Sequence, residues 1–341
     1  MPLSEQALAE IRAPRVALVT GATGFVGRHL VDALLETSWT VVGLARRDPA
    51  PPDTERCRFM VADVREPARI ERVLVEAAPD YVFHLAAAMP PSPDSRILAV
   101  NLVGSTMLFE LLAREAPGCR VLVVGSDAQY GPLEPQHRPT PETAPMRPVG
   151  TYGRSKVLQE TVALRYADMA GLGVVCVRTF NVVGPGQSTQ FVVGKMVHRI
   201  ARAEAGQGPS TIETGRLDLA RDFTDVRDVV RAFVQAVVGG LPGEAYNIGS
   251  GVATSISDVA ATLASMATTA VTFRPVHRRF RALDVEMTQA DASKLRAATG
   301  WAPTIPMEQS LADALQHARD AIARGRRFRR QPHHQAHHTD Q

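Results

Sequence analysis

Residues 15–35, RVALVTGATGFVGRHLVDALL, read as strand, glycine turn and helix. Val16 to Val19 form a short apolar run, Gly21, Gly24 and Gly27 follow at three-residue spacing, and Val26, Leu30 and Leu34 recur at helical spacing. Glycines so placed let the backbone turn tightly, bring a pyrophosphate close to the main chain and let the helix pack on the strand. The first turn of the helix then offers unpaired N–H groups to the anion. The spacing is G-x-x-G-x-x-G, not the common G-x-G-x-x-G. Such glycines could serve as turn residues alone, but the strand before them and the helix after them favour a phosphate cradle, with Thr23, Phe25 and Val26 along it.

The rest of the first half repeats the rhythm. Val41 to Leu44, Phe59 to Ala62, Tyr81 to Leu85, Val121 to Val124 and Val174 to Val177 are apolar runs of strand length. Helical patterns lie between them, around Asp32 and over Ile70 to Ala77, Asn101 to Glu115 and Tyr152 to Met169. Continuous apolar strands separated by helices predict an α/β fold with a doubly wound parallel sheet covered on both faces. Pro-rich loops at Met89 to Pro93 and Gly131 to Pro148 follow strand C-termini, where open α/β sheets bind ligands. Beyond Asn181 the alternation becomes irregular, with helices near Val192 to Ala205, Ile256 to Ala267 and Gln309 to Ala323. These belong to a smaller substrate-binding part. The expected division is an extension over 1–14, a nucleotide-binding domain over 15–180 and 223–250, a substrate-binding domain over 181–222 and 251–325, and a disordered tail over 326–341.

Composition agrees with a globular chain. A length of 341 residues with 45% hydrophobic residues allows a sizeable core. No apolar run approaches the roughly 20 residues of a membrane span, and the N-terminus has no signal-like apolar segment, so a cytoplasmic location and no membrane partner are expected. Cys57, Cys119 and Cys176 are odd in number and widely spaced, which suits buried thiols better than a disulfide framework or a zinc site; no metal is expected. Much of the net charge of +3 comes from Arg324, Arg326, Arg327, Arg329 and Arg330, and the remaining body is close to neutral, which argues against a nucleic-acid-binding face. The His- and Arg-rich tail reads as a solvated end rather than a metal site.

Tyr152 and Lys156 stand four apart at the start of a helical pattern, on one helical face. An ammonium near a phenol is expected to lower the phenol's pKa toward the working pH, so that the tyrosine can exchange a proton with a carbonyl or alcohol oxygen. Ser126 ends an apolar strand, where a hydroxyl can hold the reacting oxygen beside Tyr152. Such a Tyr/Lys pair also recurs by chance on surfaces; here the glycine turn and Ser126 accompany it.

Together the glycine turn, Ser126 and Tyr-x-x-x-Lys resemble the extended short-chain dehydrogenase/reductase family over Arg15 to Leu311. The resemblance implies a Rossmann domain, Tyr152 as acid or base, Ser126 as its hydrogen-bond partner and Lys156 also on the nicotinamide ribose. It further implies Asp63 and Val64 at the adenine, the Leu85-Ala86-Ala87 turn along the cofactor, Asn101 as a structural asparagine and a homodimer. His84 is expected to be a packed core residue. At the end of the second strand the chain offers Arg46 and Arg47 where a carboxylate would bind an NAD ribose. Arginines suit a 2′-phosphate, so NADP(H) is favoured and NAD(H) possible.

Later stretches, Arg178-Thr179-Phe180-Asn181, Gly184-Pro185-Gly186-Gln187, Phe191 to Lys195 and Arg221 to Val230, resemble the nucleotide-sugar branch. Most similar are the GDP-mannose 4,6-dehydratases and GDP-4-keto-6-deoxymannose reductases. Asp127, Asn181, Gln187, Lys195, Arg221 and Arg279, with Arg281, are the candidate substrate contacts, the cations suiting a diphosphate. Dehydratases of that branch carry a glutamate two residues after the catalytic serine or threonine; here that position is Ala128, and Asp127, in an extended segment, would point to the opposite side. Reduction of an NDP-4-keto-6-deoxyhexose, GDP-linked, is therefore the expected activity. A nucleotide-sugar 4-epimerase, a GDP-mannose 4,6-dehydratase and a non-catalytic nucleotide-binding module are the alternatives.

Overall fold

The computed structural model describes residue 9 and residues 11–46, 54–277 and 285–325. Arg47, Arg279, Arg281 and the expected tail over 326–341 lie outside the described residues.

The apolar runs of the first half pair side by side. Strands β1 (Val16–Thr20), β2 (Thr40–Ala45), β3 (Cys57–Val61), β4 (Tyr81–His84), β5 (Arg120–Ser126), β6 (Gly173–Thr179) and β10 (Ala245–Ile248) form a seven-stranded sheet in the order β10-β6-β5-β4-β1-β2-β3. Every pairing is parallel. The order reverses between β1 and β4, which places the switch point, and the ligand crevice, at the C-terminal ends of those two strands.

Alternation along each strand feeds two cores. Ala17 and Val19 enter one with α1 (Phe25–Leu35), α7 (Val226–Gly239) and Trp39. Leu18, between them, enters the other with α2 (Pro67–Ala77), α4 (Ser105–Glu115) and α5 (Gly150–Ala170). Both faces are buried, which is why the strands read as unbroken apolar runs rather than alternating ones. The buried Trp39 ring stacks on Tyr81 at 4.6 Å, and its Nε1 donates to Ile11 O at 2.9 Å, tying the end of the N-terminal extension to this core.

The helical pattern from Asn101 begins earlier than expected. A short α3 (Asp94–Leu98) runs through a π-helical turn at Ala99–Gly104 into α4. By length and composition the 22 residues Asp94–Glu115 could cross a membrane, but half of that stretch is buried in the second core. Gly104 explains the close fit, since a Cβ there would come within 2.8 Å of Val64 Cγ2.

A third core belongs to the second half. Here β7 (Asn181–Val183), β9 (Ala220–Asp225) and β11 (Ala253–Ser255) form a three-stranded sheet, and β8 (Thr211–Thr214) pairs with β12 (Thr272–Pro275). Helices α6 (Val192–Glu204), α8 (Ile256–Met266) and α10 (Met307–Ala323) bury Ile200, Leu263 and Leu311 together.

One stretch assigned to the substrate-binding part packs elsewhere. Leu295 of α9 (Ser293–Thr299) and Trp301 join the first sheet core. Trp301 Nε1 donates to Asp228 O at 3.0 Å, and the buried Asp228 carboxylate accepts from the main-chain N–H groups of Thr304 and Ile305 at 2.8 and 2.9 Å. A polar residue inside α7 thus anchors a loop that hydrophobic periodicity could not place. Trp301→Ala should cost about 3–5 kcal/mol in urea unfolding, whereas Val252→Ala, at a position 62% exposed, should stay within about 0.5 kcal/mol.

Candidate active site

The glycine turn is built by close approach. Gly21 has φ +72°, and a Cβ there would sit 3.0 Å from Ala86 N. At Gly27 a Cβ would overlap the Gly21 carbonyl and lie 2.9 Å from Ala22 Cα, so only glycine lets α1 seat on the end of β1. Gly24 is the N-cap residue and no side chain caps the helix, which leaves the first-turn amides beside Phe25 and Val26 for an anion. Thr23 and Gly24 are exposed at the tip, and Leu85-Ala86-Ala87 runs alongside, with Ala86 N donating to Thr20 Oγ1 at 3.0 Å. These residues fit the pyrophosphate of a dinucleotide.

Asp63 follows β3 near the end of β2, and Val64 beside it is buried in the second core. The Asp63 carboxylate is gripped by Arg65, whose Nε and Nη2 donate at 2.9 and 2.8 Å, and Arg46 lies within electrostatic reach. Arg65 holds the carboxyl below its ordinary range. Sequence reading had passed over Arg65, although it stands only two residues after the acid it serves.

The candidate reacting groups meet at the C-terminal end of β5. Ser126 lies within hydrogen-bonding reach of Tyr152 at the start of α5. Burial pushes the Tyr152 phenol up to about 12; the Ser126 hydrogen bond pulls it down and the charge of Asp127 raises it further. Lys156 is buried, its Nζ donating to Val124 O and Gln159 Oε1, both at 2.8 Å, and burial brings its pKa down to about 7. The expected lowering of the phenol by the ammonium is therefore not present here. The lysine is itself desolvated and turned toward two acceptors, and burial dominates the phenol. Tyr152 is a neutral acid at physiological pH.

A buried polar chain supports Lys156. Gln159 Nε2 donates to Ser105 Oγ at 2.7 Å, Ser105 Oγ meets His84 Nε2 at 2.8 Å, and His84 Nδ1 meets Thr20 Oγ1 at 2.8 Å. All four side chains are buried. Burial, with a smaller push from Lys156, takes His84 down to about 3, so it stays neutral and bridges two hydroxyls as a core residue. Asn101 ties the π-helical turn to the Ala87–Ala88 segment and to α5, accepting from Ala88 N at 2.7 Å and donating to Ala88 O at 2.8 Å and Ser155 Oγ at 3.0 Å. Gln159 and Ser105 escaped sequence reading because polar residues on buried helix faces look like surface ones until the helices are packed.

Two substrate-side expectations change. Asp127 does not point away: the chain leaves β5 into a 3₁₀ turn at Asp127–Gln129, and Asp127 Oδ1 accepts from Ser126 Oγ at 3.1 Å while Oδ2 lies 3.5 Å from Asn181 Nδ2. A turn, unlike an extended segment, keeps adjacent side chains on one side. Burial raises the Asp127 carboxyl to about 6, with Ser126 and then Arg221 drawing it back. Gln187 is the other correction. Its Nε2 donates to Val182 O at 2.5 Å and its Oε1 accepts from Gly194 N at 2.9 Å, so it fastens the start of α6 instead of facing a ligand. Lys195 stands half-buried in the first turn of α6. Asn181 and Arg221 are brought to Asp127, and Arg221 Nη1 also donates to Ala220 O at 2.8 Å.

The sequence matches the NAD dependent epimerase/dehydratase family over residues 17–249. The chain belongs to that family. It is 30% identical to the GDP-6-deoxy-D-mannose reductase of Pseudomonas aeruginosa over 299 residues, 86% of this chain and 93% of the relative. It is 29% identical to the UDP-glucose 4-epimerase of Mycolicibacterium smegmatis over 320 residues, 89% and 98% of the two chains. The structure of RMD from Pseudomonas aeruginosa complexed with NADPH superposes with a TM-score of 0.80 at 29% identity, covering 90% of this chain and 99% of that one. The protein is thus an NAD(P)-dependent extended short-chain dehydrogenase/reductase of the nucleotide-sugar reductase and epimerase kind.

Asp127 offers a pH test. Its folded pKa of about 6 lies above the ordinary value of 3.8, so the native state binds the extra proton and stability falls as pH rises between those values. Asp127→Asn should raise the melting temperature at pH 7–8, a gain that disappears below about pH 4, where the carboxyl is protonated in both states. Melting curves across that range read it directly.

Proposed function

We propose that the protein reduces the C4 ketone of an NDP-4-keto-6-deoxyhexose, GDP-linked, to the alcohol of a GDP-rhamnose type product. The observation that carries this reading is Ser126 at the head of the Asp127–Gln129 turn, beside Tyr152, with Ala128, which can accept no proton, where dehydratases of the resembled branch carry their base. The glycine turn from Gly21 to Gly27 and the first-turn amides of α1 would hold a dinucleotide, which would supply hydride for the carbonyl carbon. Tyr152 gives its phenolic proton to the ketone oxygen, and the Ser126 hydroxyl, turning from Asp127, donates a hydrogen bond to the same oxygen as negative charge develops on it. Lys156, one helical turn after Tyr152, would carry the charge that compensates the resulting phenolate, and a proton from solvent would restore the phenol. Asp127 and Asn181 would take sugar hydroxyls, and Arg221 and Lys195 the diphosphate; Arg279 is assigned there from sequence alone.

Arg46 supports NADP(H) over NAD(H). Exposed Leu98, Val103 and Leu158, on the surface of α3, the π-helical turn and α5, support a homodimer through these helices. A second reading, 4-epimerisation, is favoured by the similar identity to an epimerase. It predicts that the cofactor stays bound and no net oxidation occurs.

Mixing the protein with GDP-4-keto-6-deoxymannose and NADPH should remove the dihydronicotinamide absorbance in proportion to ketone. An unchanged band would overturn the reductase reading. Tyr152→Phe should lower turnover by at least about 100-fold while NADPH binding stays within a factor of about two. Arg46→Ala should weaken NADPH by about tenfold, the loss of one charge-assisted hydrogen bond, and leave NADH nearly unchanged, as titration calorimetry would show.

A further inference from the structure

Behind Ser126 lies a buried polar bridge that the proton transfer does not itself use. Gln129, three residues after Ser126, is buried within the 3₁₀ turn. Its Oε1 accepts from Ser126 N at 2.9 Å, and its Nε2 donates to Glu160 Oε2 at 2.8 Å. Ser126 Oγ in turn accepts from Ala128 N at 3.2 Å, closing a capping box around the turn. Gly125 makes the room, for a Cβ there would overlap Gln129 Oε1.

Glu160 follows Lys156 by one helical turn and Tyr152 by two, so all three share a face of α5. Arg178 on β6 grips it from the other side, Nη2 to Oε1 at 2.5 Å and Nε to Oε2 at 3.0 Å. The carboxylate is thereby fixed, and the amide of Gln129 has one partner on each side. Two hydrogen bonds thus connect the main chain of Ser126 to the helix that carries Tyr152. A serine at the last position of a strand has three staggered wells available to its hydroxyl. The bridge restricts that choice by locking the turn.

We propose that Gln129 is a positioning residue that, by bridging Ser126 to Glu160, holds the Ser126 hydroxyl against the Tyr152 phenol. The proposal rests on Ser126 and Tyr152 being the reacting pair of the reduction described above. Replacing Glu160 would leave Arg178 as a buried unpaired charge and could unfold the protein, so the neutral Gln129 is the site to change.

The test is a double-mutant cycle of Gln129→Leu and Ser126→Ala in the full chain, with NADPH and GDP-4-keto-6-deoxymannose. Gln129→Leu should lower kcat by about 10–100-fold, the scale of a small misplacement at a reacting centre, with both KM values within about twofold. In the Ser126→Ala background it should add no further loss. Gln129→Glu, which keeps an acceptor for Ser126 N but sets a carboxylate against Glu160, should be as damaging as leucine. Independent losses in the double variant, or a rise in KM with kcat unchanged, would overturn the positioning role. A second readout needs no turnover: with carbon-13-labelled tyrosine, the Tyr152 ring signal, assigned by its loss in Tyr152→Phe, should shift equally in Gln129→Leu and Ser126→Ala at neutral pH. If that signal stays at its wild-type position in Gln129→Leu, the proposal fails whatever the substrate is. If it shifts equally while the ketone is not reduced, the bridge stands and the substrate reading falls.

Discussion

A strand buried on both faces can place polar function only at its ends. All seven strands of the large sheet run parallel, so their C-terminal ends lie along one edge, and nearly everything chemical in this chain is found there. Thr20 ends β1 and the glycine turn follows it, Arg46 follows β2, Asp63 follows β3, Leu85 follows β4, Ser126 ends β5 and Asn181 follows β6. Parallel pairing is what converts residues scattered over nearly half of the chain into one crevice. The helices that cover the faces complete it, because α1 and α5 both begin at that edge and project their first turns into it.

The second core departs from the dry packing expected of a doubly wound sheet. Thr20, His84, Ser105, Gln159 and Lys156 form a hydrogen-bonded line through it, and Gln129, Glu160 and Arg178 form another at the β5–β6 edge. Buried polar groups cost free energy unless each finds a partner, and a complete network fixes one arrangement of the surrounding helices. Lys156 shows the consequence. Burial lowers its pKa to about 7, leaving a cation that can form or vanish near physiological pH beside a phenol that stays protonated.

The smaller part contributes through β7 and β9, which run parallel and bring Asn181 and Arg221 to the sheet edge. Asp222, adjacent to Arg221, explains why that strand is held so firmly: its buried carboxylate accepts from the main chain of Ser250, Gly251 and Ala290 at 2.7, 2.9 and 2.9 Å. Three separated segments are thus fastened at one point next to a candidate diphosphate cation. Sequence pattern could not expose this arrangement, since the loops after β10 and before α9 carry no periodicity.

Local pattern was enough for six of the seven strands of the large sheet and for the glycine turn, and it singled out Ser126, Tyr152 and Lys156 as candidates, because each is written in short-range terms. Strand runs are continuous when both faces are buried, Gly21 and Gly27 sit where a Cβ cannot fit, and Tyr152 and Lys156 lie one helical turn apart. Tertiary structure decided what depends on packing between distant segments. It turned Asp127 toward Ser126, committed Gln187 to α6, moved Leu295 and Trp301 into the sheet core, and set the proton affinities of Tyr152, Lys156 and Asp127. The physical reason is the same in each case: desolvation and the choice of hydrogen-bond partner are properties of an environment assembled from residues far apart in the chain, and neither can be read from neighbours in sequence.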